Sequence, residues 1–187
     1  MRIAGGEFRG RVLCVPKGLD VRPTQDRVRE ALFSMIQAEI GGARFLDLFA
    51  GAGGVGLEAL SRGAAAAVLV EQAPRSLASI ARNVVSLKVE ARCQVVRADV
   101  YGWIARPQPQ PFDIAYADPP YAVGAAHGLA GMLGALAANG IVRPGGLFVA
   151  EMRQIQRPEE MAGWELCRDR CYGQTRIVIY RRQEMHG

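Results

Sequence analysis

The sequence predicts a single α/β domain whose mostly parallel sheet is covered on both faces by helices. Three observations point there. From Phe45 onward, short apolar runs alternate with longer amphipathic stretches, the pattern of repeated strand–helix units. The runs are apolar almost throughout rather than at every second residue, as in strands buried on both faces. A chain of 187 residues suits one domain with a full core and little besides.

Each element follows in order. Residues 2–16, RIAGGEFRGRVLCVP, read as two short extended pieces around glycines, a β-hairpin extension within residues 1–20. A helix is expected within residues 21–42. Val28, Leu32, Met35, Ile36 and Ile40 recur at helical spacing, Thr24 or Asp26 is placed to cap the start, and Gly41-Gly42 closes it. Residues 43–187 form the core. FLDLFA is its first strand and GVGLEALSRG a helix closed by Gly63. AAVLVE is the second strand, followed by a helix over residues 75–87 with Leu77, Ile80, Ala81 and Val84 inward. CQVVRAD is the third strand; after a short helix, ARPQPQP is a stiff surface loop, since alternating prolines enter neither helix nor central strand. FDIAYA is the fourth strand, an alanine- and glycine-rich helix comes next, and GGLFVAE is the fifth. The tail changes character: WELCRDRCYG and TRIVIYRR are two extended segments joined around Gly173, an antiparallel hairpin at the sheet edge.

Composition narrows the class. Half the residues are hydrophobic and the net charge is +5, so an anionic partner suits the chain. Of 23 basic residues only Lys17 and Lys88 are lysines. The excess of arginine reads as composition bias; arginine clusters read as phosphate contacts, where the planar fork gives bidentate bonds. Cys14, Cys93, Cys167 and Cys171 include no CxxC and the histidines are only His127 and His186, so neither a zinc site nor a disulfide framework is indicated. No apolar leader opens the chain, and a cytoplasmic protein with reduced thiols is expected. Residues 122–142 carry no charged side chain, yet five glycines, His127 and Asn139 interrupt them. Leu129, Met132, Leu133 and Leu136 share one face, so this is a helix packed on the sheet rather than a membrane span.

Two constellations carry chemistry. The first strand runs into DLFAGAGGVG, where Gly51, Gly53 and Gly56 fit G-x-G-x-x-G. Between a strand and a helix, such glycines let the backbone approach a ligand at the helix N-terminus. Glu71, closing the second strand, is placed to accept both ribose hydroxyls. A dinucleotide and S-adenosylmethionine both fit this frame. Asp47 favours the latter: before the loop it would repel a pyrophosphate but attract an ammonium or sulfonium. Asp99, closing the third strand, offers an acceptor to an adenine amine.

The second constellation is Asp118-Pro119-Pro120-Tyr121, which ends the fourth strand. Neither proline has an N–H, so the corner presents acceptors only: the Asp118 carboxylate and backbone carbonyls. That suits a substrate bearing an amino group. The exocyclic amine of a nucleobase is a poor nucleophile because its lone pair is delocalised, and two acceptors gripping its hydrogens favour a pyramidal nitrogen. Tyr121 is placed to stack on the extruded base, a contact worth ~1–3 kcal/mol, against an extrusion cost of a few kcal/mol.

Taken together, EFRGRVLCVPKGLDVRPTQDRVREALF, DLFAGAGGVGLEALSRGA, VEQ, DPPY and YGQTRIVIYR resemble the RsmD family across nearly the whole chain. The resemblance implies a class I S-adenosylmethionine-dependent methyltransferase with a Rossmann-like, seven-stranded, mostly parallel sheet. It implies methyl transfer to the exocyclic N2 of one guanine in bacterial 16S rRNA, on the small ribosomal subunit or a late assembly intermediate. Carried across, Asp47, Gly51 and Gly53 line the methionine end, Glu71 the ribose and Asp99 the adenine. Phe49, Ala50, Gln72, Ala98 and Val100 flank them in the cofactor site. Asp118, Pro119, Pro120 and Tyr121 hold the target amine. Arg9 and Arg11 of the basic hairpin, with Arg22, Thr24 and Arg27 of RPTQDRVRE, are the candidate RNA contacts, although Arg27 serves equally well as a structural ion-pair partner. No metal is expected, and a monomer suffices. The loop reads GAGG where a serine often follows the first glycine, and alanine precedes DPPY where leucine is common; neither touches a catalytic role. DNA or RNA adenine-N6 methylation also uses DPPY, and a non-catalytic RNA-binding module would explain the basic ends. An NAD-dependent oxidoreductase leaves DPPY idle, and a protein-glutamine methyltransferase more often has Asn at the position of Asp118.

Overall fold

The computed structural model describes residues 1–16, 23–119 and 128–184. Seven strands form one sheet: β1 (Arg44–Leu48), β2 (Ala66–Glu71), β3 (Cys93–Arg97), β4 (Phe112–Ala117), β5 (Val142–Arg153), β6 (Trp164–Tyr172) and β7 (Thr175–Arg182). Their order is β3-β2-β1-β4-β5-β7-β6. The first five are parallel, and β7 joins β5 antiparallel with β6 outside it. The C-terminal hairpin therefore enters the sheet through its second strand, and of its two strands only β6 is an edge. The burial pattern explains this: Ile177 to Tyr180 are buried in succession, whereas β6 is mostly exposed.

Among the described residues, six helices surround the sheet: α1 (Pro23–Met35), α2 (Gln37–Ile40), α3 (Gly54–Ser61), α4 (Pro74–Leu87), α5 (Val100–Ile104) and α6 (Leu129–Ala138). Successive strand residues point to opposite faces, and two apolar clusters result. Phe45, Leu69, Ile114 and Val149 pack against the first helices, and Leu46, Val70, Ala115 and Phe148 against α5 and α6. Among the described residues no helix is long and apolar enough to cross a membrane.

Three local expectations are corrected. The first helix begins at Pro23, so Thr24 and Asp26 lie in its first turn instead of capping it. Proline suits that start, because its missing N–H is one a helix leaves unpaired anyway. Ile36 interrupts the helix with φ −108° and ψ 14°, giving α1 and α2 in place of one continuous element. In α4, Ala81 is exposed; Ser76, Ser79 and Asn83 are buried with Ile80, Val84 and Leu87. Asn83 is inward because it is fully bonded: Oδ1 accepts from Cys14 N at 2.7 Å, and Nδ2 donates to Cys14 O at 2.9 Å and Ala52 O at 3.0 Å.

The two arms of the N-terminal extension meet at an antiparallel bridge, Arg2 to Val12, with Ile3 N donating to Arg11 O at 3.1 Å, Gly10 N to Ile3 O at 2.8 Å and Leu13 N to Met1 O at 3.0 Å. The turn between them bonds to the end of α3: Glu7 N donates to Ser61 O at 2.7 Å, Phe8 N to Ser61 Oγ at 2.9 Å, and Ser61 Oγ to Gly5 O at 2.6 Å. Gly6 permits this, with φ +78° and room for no side chain: an added Cβ would lie 1.9 Å from Ser61 O. The extension is thereby held against α3 and, through Cys14 and Asn83, against α4.

Candidate active site

The parallel strands deliver their C-terminal ends to one rim, and β1 and β4 are neighbours there, with Asp47 opposite Tyr116. In such sheets the crevice beyond the strand ends takes the ligand. A cavity of about 230 Å³ opens at this place, lined among others by Met1, Arg29, Asp47, Tyr116, Asp118 and Glu151. Phe49, Ala50 and Gly51 of the glycine loop complete one wall.

Asp47 is the buried anchor of the loop, at 1% exposure. Its Oδ2 accepts from Gly56 N in α3 at 2.8 Å. An added Cβ at Gly56 would lie 3.1 Å from that oxygen and 3.0 Å from Leu69, so a glycine keeps the helix this close to β1 and β2. Oδ1 of Asp47 is buried with no hydrogen-bond partner. Burial pushes the carboxyl up to about 8, against the Gly56 bond, with Asp118, Glu71 and Glu151 adding like charge. An orphaned acceptor inside an acidic cavity fits a cationic donor, as the ammonium of S-adenosylmethionine is. Phe49 adopts a left-handed backbone, φ +63°, where a non-glycine residue costs about 1–2 kcal/mol. The turn sets its ring edge-on to Tyr101, centroids 5.9 Å apart.

Glu71 clasps the loop from β2. Oε2 accepts from Gly51 N at 2.8 Å, and Oε1 from Gln72 N and Ala73 N, each at 2.8 Å. Each carboxylate oxygen has two lone pairs, so one acceptor place remains, on Oε2, for a ribose hydroxyl. Asp99 caps α5, Oδ1 accepting from Gly102 N at 2.9 Å; its Oδ2 takes no part in that cap. Gly53, in the left-handed region at φ +81°, leads into α3. Gln72 and Asp99 are exposed, Ala98 is half-buried and Val100 is buried at the start of α5. These residues, with Glu71 and Gly53, lie along the strand ends beyond the cavity's own lining.

Asp118 stands half-buried just past β4, and burial raises its carboxyl to about 6. Pro119 follows it; Pro120 and Tyr121 lie outside the described residues, as does Arg22. Thr24 is in the first turn of α1, its side chain likewise outside the description. Arg9 and Arg11 are exposed on the extension, and Arg11 Nη2 donates to Ser86 O at 2.9 Å. Arg27 is exposed and forms no ion pair among the described residues. The paired arginine of this helix is Arg29, whose Nε donates to Glu58 at 2.5 Å.

Three polar side chains of the cavity, Glu151, Tyr116 and Arg29, escaped the sequence reading. Glu151 ends the fifth apolar run as Glu71 ends the second, and the same reasoning finds it. Tyr116 lies two residues before Asp118, hence on its face of β4. Its hydroxyl donates to Glu151 Oε1 at 2.7 Å. Burial and the Asp118 charge push the Glu151 carboxyl up to about 7, against the pull of Tyr116 and Arg29. Arg29 carries no signal in its spacing. Among the described residues, no three His, Cys, Asp or Glu side chains converge closely enough to hold a metal ion.

The buried acid sets the sign of a stability effect. Asp47 loses its proton near 3.8 when exposed and near 8 in the fold. Between those values the folded state holds more protons than the unfolded chain, so stability falls as pH rises. The ligand-free protein should be less stable at about pH 8 than at about pH 5, by on the order of 2 kcal/mol. Asp47→Asn should reduce that slope in urea titrations at the two pH values, leaving the part that the raised carboxyls of Asp118 and Glu151 contribute. An unchanged slope in the variant would place its origin elsewhere.

Comparison with known proteins agrees with this architecture. The family described as "Conserved hypothetical protein 95" matches residues 1–181. Ribosomal RNA small subunit methyltransferase D of Escherichia coli is 36% identical over 184 residues, 98% of this chain and 90% of that protein. The protein of that name in Haemophilus influenzae is 32% identical, covering 97% and 92%. The solved structure of yhhF from Escherichia coli has a TM-score of 0.88 at 37% identity, covering 99% of both chains. At 23% identity, Thermus thermophilus RsmC shares the fold, with a TM-score of 0.67 over 90% of this chain and 45% of its own. With one family matched from end to end and relatives more than 30% identical along almost the full chain, this protein belongs to the RsmD family.

Proposed function

We propose that this protein methylates the exocyclic N2 amine of one guanine in 16S rRNA, presented on the small ribosomal subunit or a late assembly intermediate. Family membership makes it an S-adenosylmethionine-dependent methyltransferase of ribosomal RNA. The finer reading rests on one observation: a single cavity joins the unpartnered Oδ1 of Asp47 to the acceptor corner at Asp118.

When bound, S-adenosylmethionine supplies an electrophilic methyl group on a sulfonium sulfur. Asp47 and the glycine loop hold its amino-acid end, Glu71 its ribose and Asp99 its adenine amine. Asp118, ionised above about pH 6, accepts from the guanine amine and turns the nitrogen lone pair toward the donor. A methylated amine that has gained positive charge is strongly acidic, so Asp118 at this proton affinity can take its proton. Half-burial keeps bulk water from competing for the amine hydrogens. The same reading takes the enzyme as a cytoplasmic monomer that needs no metal.

The test is methyl transfer from labelled S-adenosylmethionine to small-subunit particles lacking the modification, with the product nucleoside identified. N2-methylguanosine is expected; N6-methyladenosine would replace the reading with adenine chemistry. Stabilisation in a thermal shift by NAD but not S-adenosylhomocysteine would refute both. The extension carries a further prediction. Neutralising Arg9 and Arg11 should weaken particle binding and reduce the magnitude of its log–log salt slope by roughly 1–2, one phosphate contact per arginine. A slope and affinity that both stay unchanged would remove the extension from the RNA interface.

A further inference from the structure

One carboxylate of the cavity has no part in the chemistry above. Glu151 lies in β5 beside β4, where Tyr116 pairs with Val149 and Ala117 with Ala150. Carrying that register forward by one residue sets Asp118 beside Glu151, on strands ~4.8 Å apart. Both side chains fall on the face of Tyr116, and both line the cavity. The Tyr116 hydroxyl, buried at 3% exposure, holds Glu151 Oε1 at 2.7 Å. Oε2 accepts no hydrogen bond among the described residues. The cavity thus presents a second, oriented acceptor next to the corner that grips the target amine.

Two adjacent acceptors match one purine edge better than the other. Guanine presents two neighbouring donors, the N2 amine and N1–H. Adenine presents its N6 amine beside N1, which bears a lone pair. A carboxylate next to the amine site accepts N1–H from guanine and meets a lone pair on adenine, an arrangement that leaves both groups unpaired. We infer that Glu151 is the guanine-selecting residue of this enzyme, its Oε2 accepting N1–H of the base whose N2 amine Asp118 holds, with Tyr116 as its positioning residue. This rests on the guanine-N2 reading above and adds how the base is chosen.

The probe is 2-aminopurine, which keeps the N2 amine and replaces N1–H by a lone pair. Small-subunit particles are reconstituted with ligated rRNA bearing either guanine or 2-aminopurine at the methylated position, and assayed at about pH 8, where Glu151 is ionised. The unsubstituted enzyme should prefer guanine by roughly 10–100-fold in kcat/KM. Glu151→Gln turns an amide donor toward N1 and should bring the ratio to within about threefold, by losing guanine and gaining 2-aminopurine. Affinity for S-adenosylhomocysteine should stay unchanged in the variant. Should Glu151→Gln fail to fold, Tyr116→Phe frees the carboxylate and should narrow the same ratio. A ratio unchanged in a folded variant overturns the inference while leaving guanine methylation intact. A variant that loses affinity for S-adenosylhomocysteine with its base preference kept overturns it too, and puts Glu151 on the cofactor side. An unsubstituted enzyme inactive on the guanine particle defeats the functional reading itself.

Discussion

Asp118→Ala should lower kcat for methyl transfer by about 10²–10⁴-fold while leaving the affinity for S-adenosylhomocysteine within about threefold. The two effects separate because the corner and the cofactor anchor are different groups. Asp47 is held by Gly56 N of α3, and nothing in that bond depends on Asp118. Alanine at the corner leaves a carbonyl but no carboxylate, so the amine keeps its planar, delocalised lone pair and its proton has no acceptor. Asp118→Asn, which retains one carbonyl acceptor, should fall between alanine and the native enzyme. In the native enzyme, activity should decline as pH drops through about 6, because a protonated Asp118 presents a donor where an acceptor is needed. Single-turnover kinetics with saturating cofactor, paired with calorimetric titration of S-adenosylhomocysteine, reads both quantities. Near-native turnover in Asp118→Ala would take the residue out of the mechanism.

The second large effect is on stability. Glu58 is fully buried and Arg29 almost so, their side chains 0% and 5% exposed. Glu58 Oε2 accepts from Arg29 Nε at 2.5 Å and Ala4 N at 3.3 Å. Oε1 accepts from Arg62 Nε at 2.9 Å and Nη2 at 2.7 Å. Arg29 Nη2 in turn donates to the Arg2 carbonyl. The network ties α1, α3 and the extension together beside the cavity that Arg29 and Met1 line. Glu58→Ala removes the partner of the buried Arg29 Nε, leaving the guanidinium only Asp26 Oδ1, at 3.1 Å from Nη2, and the Arg2 carbonyl. It should cost about 3–5 kcal/mol. For a domain of this size that lowers Tm by roughly 6–20 °C. The double replacement Arg29→Met with Glu58→Leu should recover much of the loss, since it removes both buried charges at similar volume. Calorimetry on the three variants decides it: a loss below about 1 kcal/mol in Glu58→Ala would mean that water or a rearranged partner solvates Arg29.

Local features of this protein were legible wherever a local cause dominates. AAVLVE and FDIAYA are β2 and β4 to the residue, because apolar runs bounded by polar or proline residues have no competing pattern. The glycine loop is visible because positive φ and close approach leave few alternatives to glycine. The helix interior was read less well. Ala81 fits the apolar stripe of α4, yet Asn83 takes an inward place because the extension brings the Cys14 backbone to it. The seat of the extension has the same origin: Ser61, distant in sequence, receives the turn of the hairpin through Glu7 N and Phe8 N.

The amino-acid sequence by itself determined the α/β class, the strand-terminal acids Asp47, Glu71, Asp99 and Asp118, and the acceptor-only chemistry of the DPP corner. These follow from period, backbone restriction and donor count, which need no neighbours. Only the tertiary structure decided that Glu151 and Tyr116 join Asp118, that Arg29 rather than Arg27 is the buried ion-pair partner, and that one oxygen of Asp47 lacks a hydrogen bond. The reason is register. Whether Glu151 faces Asp118 depends on how β5 pairs with β4 across a crossover, and a slip of one residue would turn either side chain to the opposite face of the sheet.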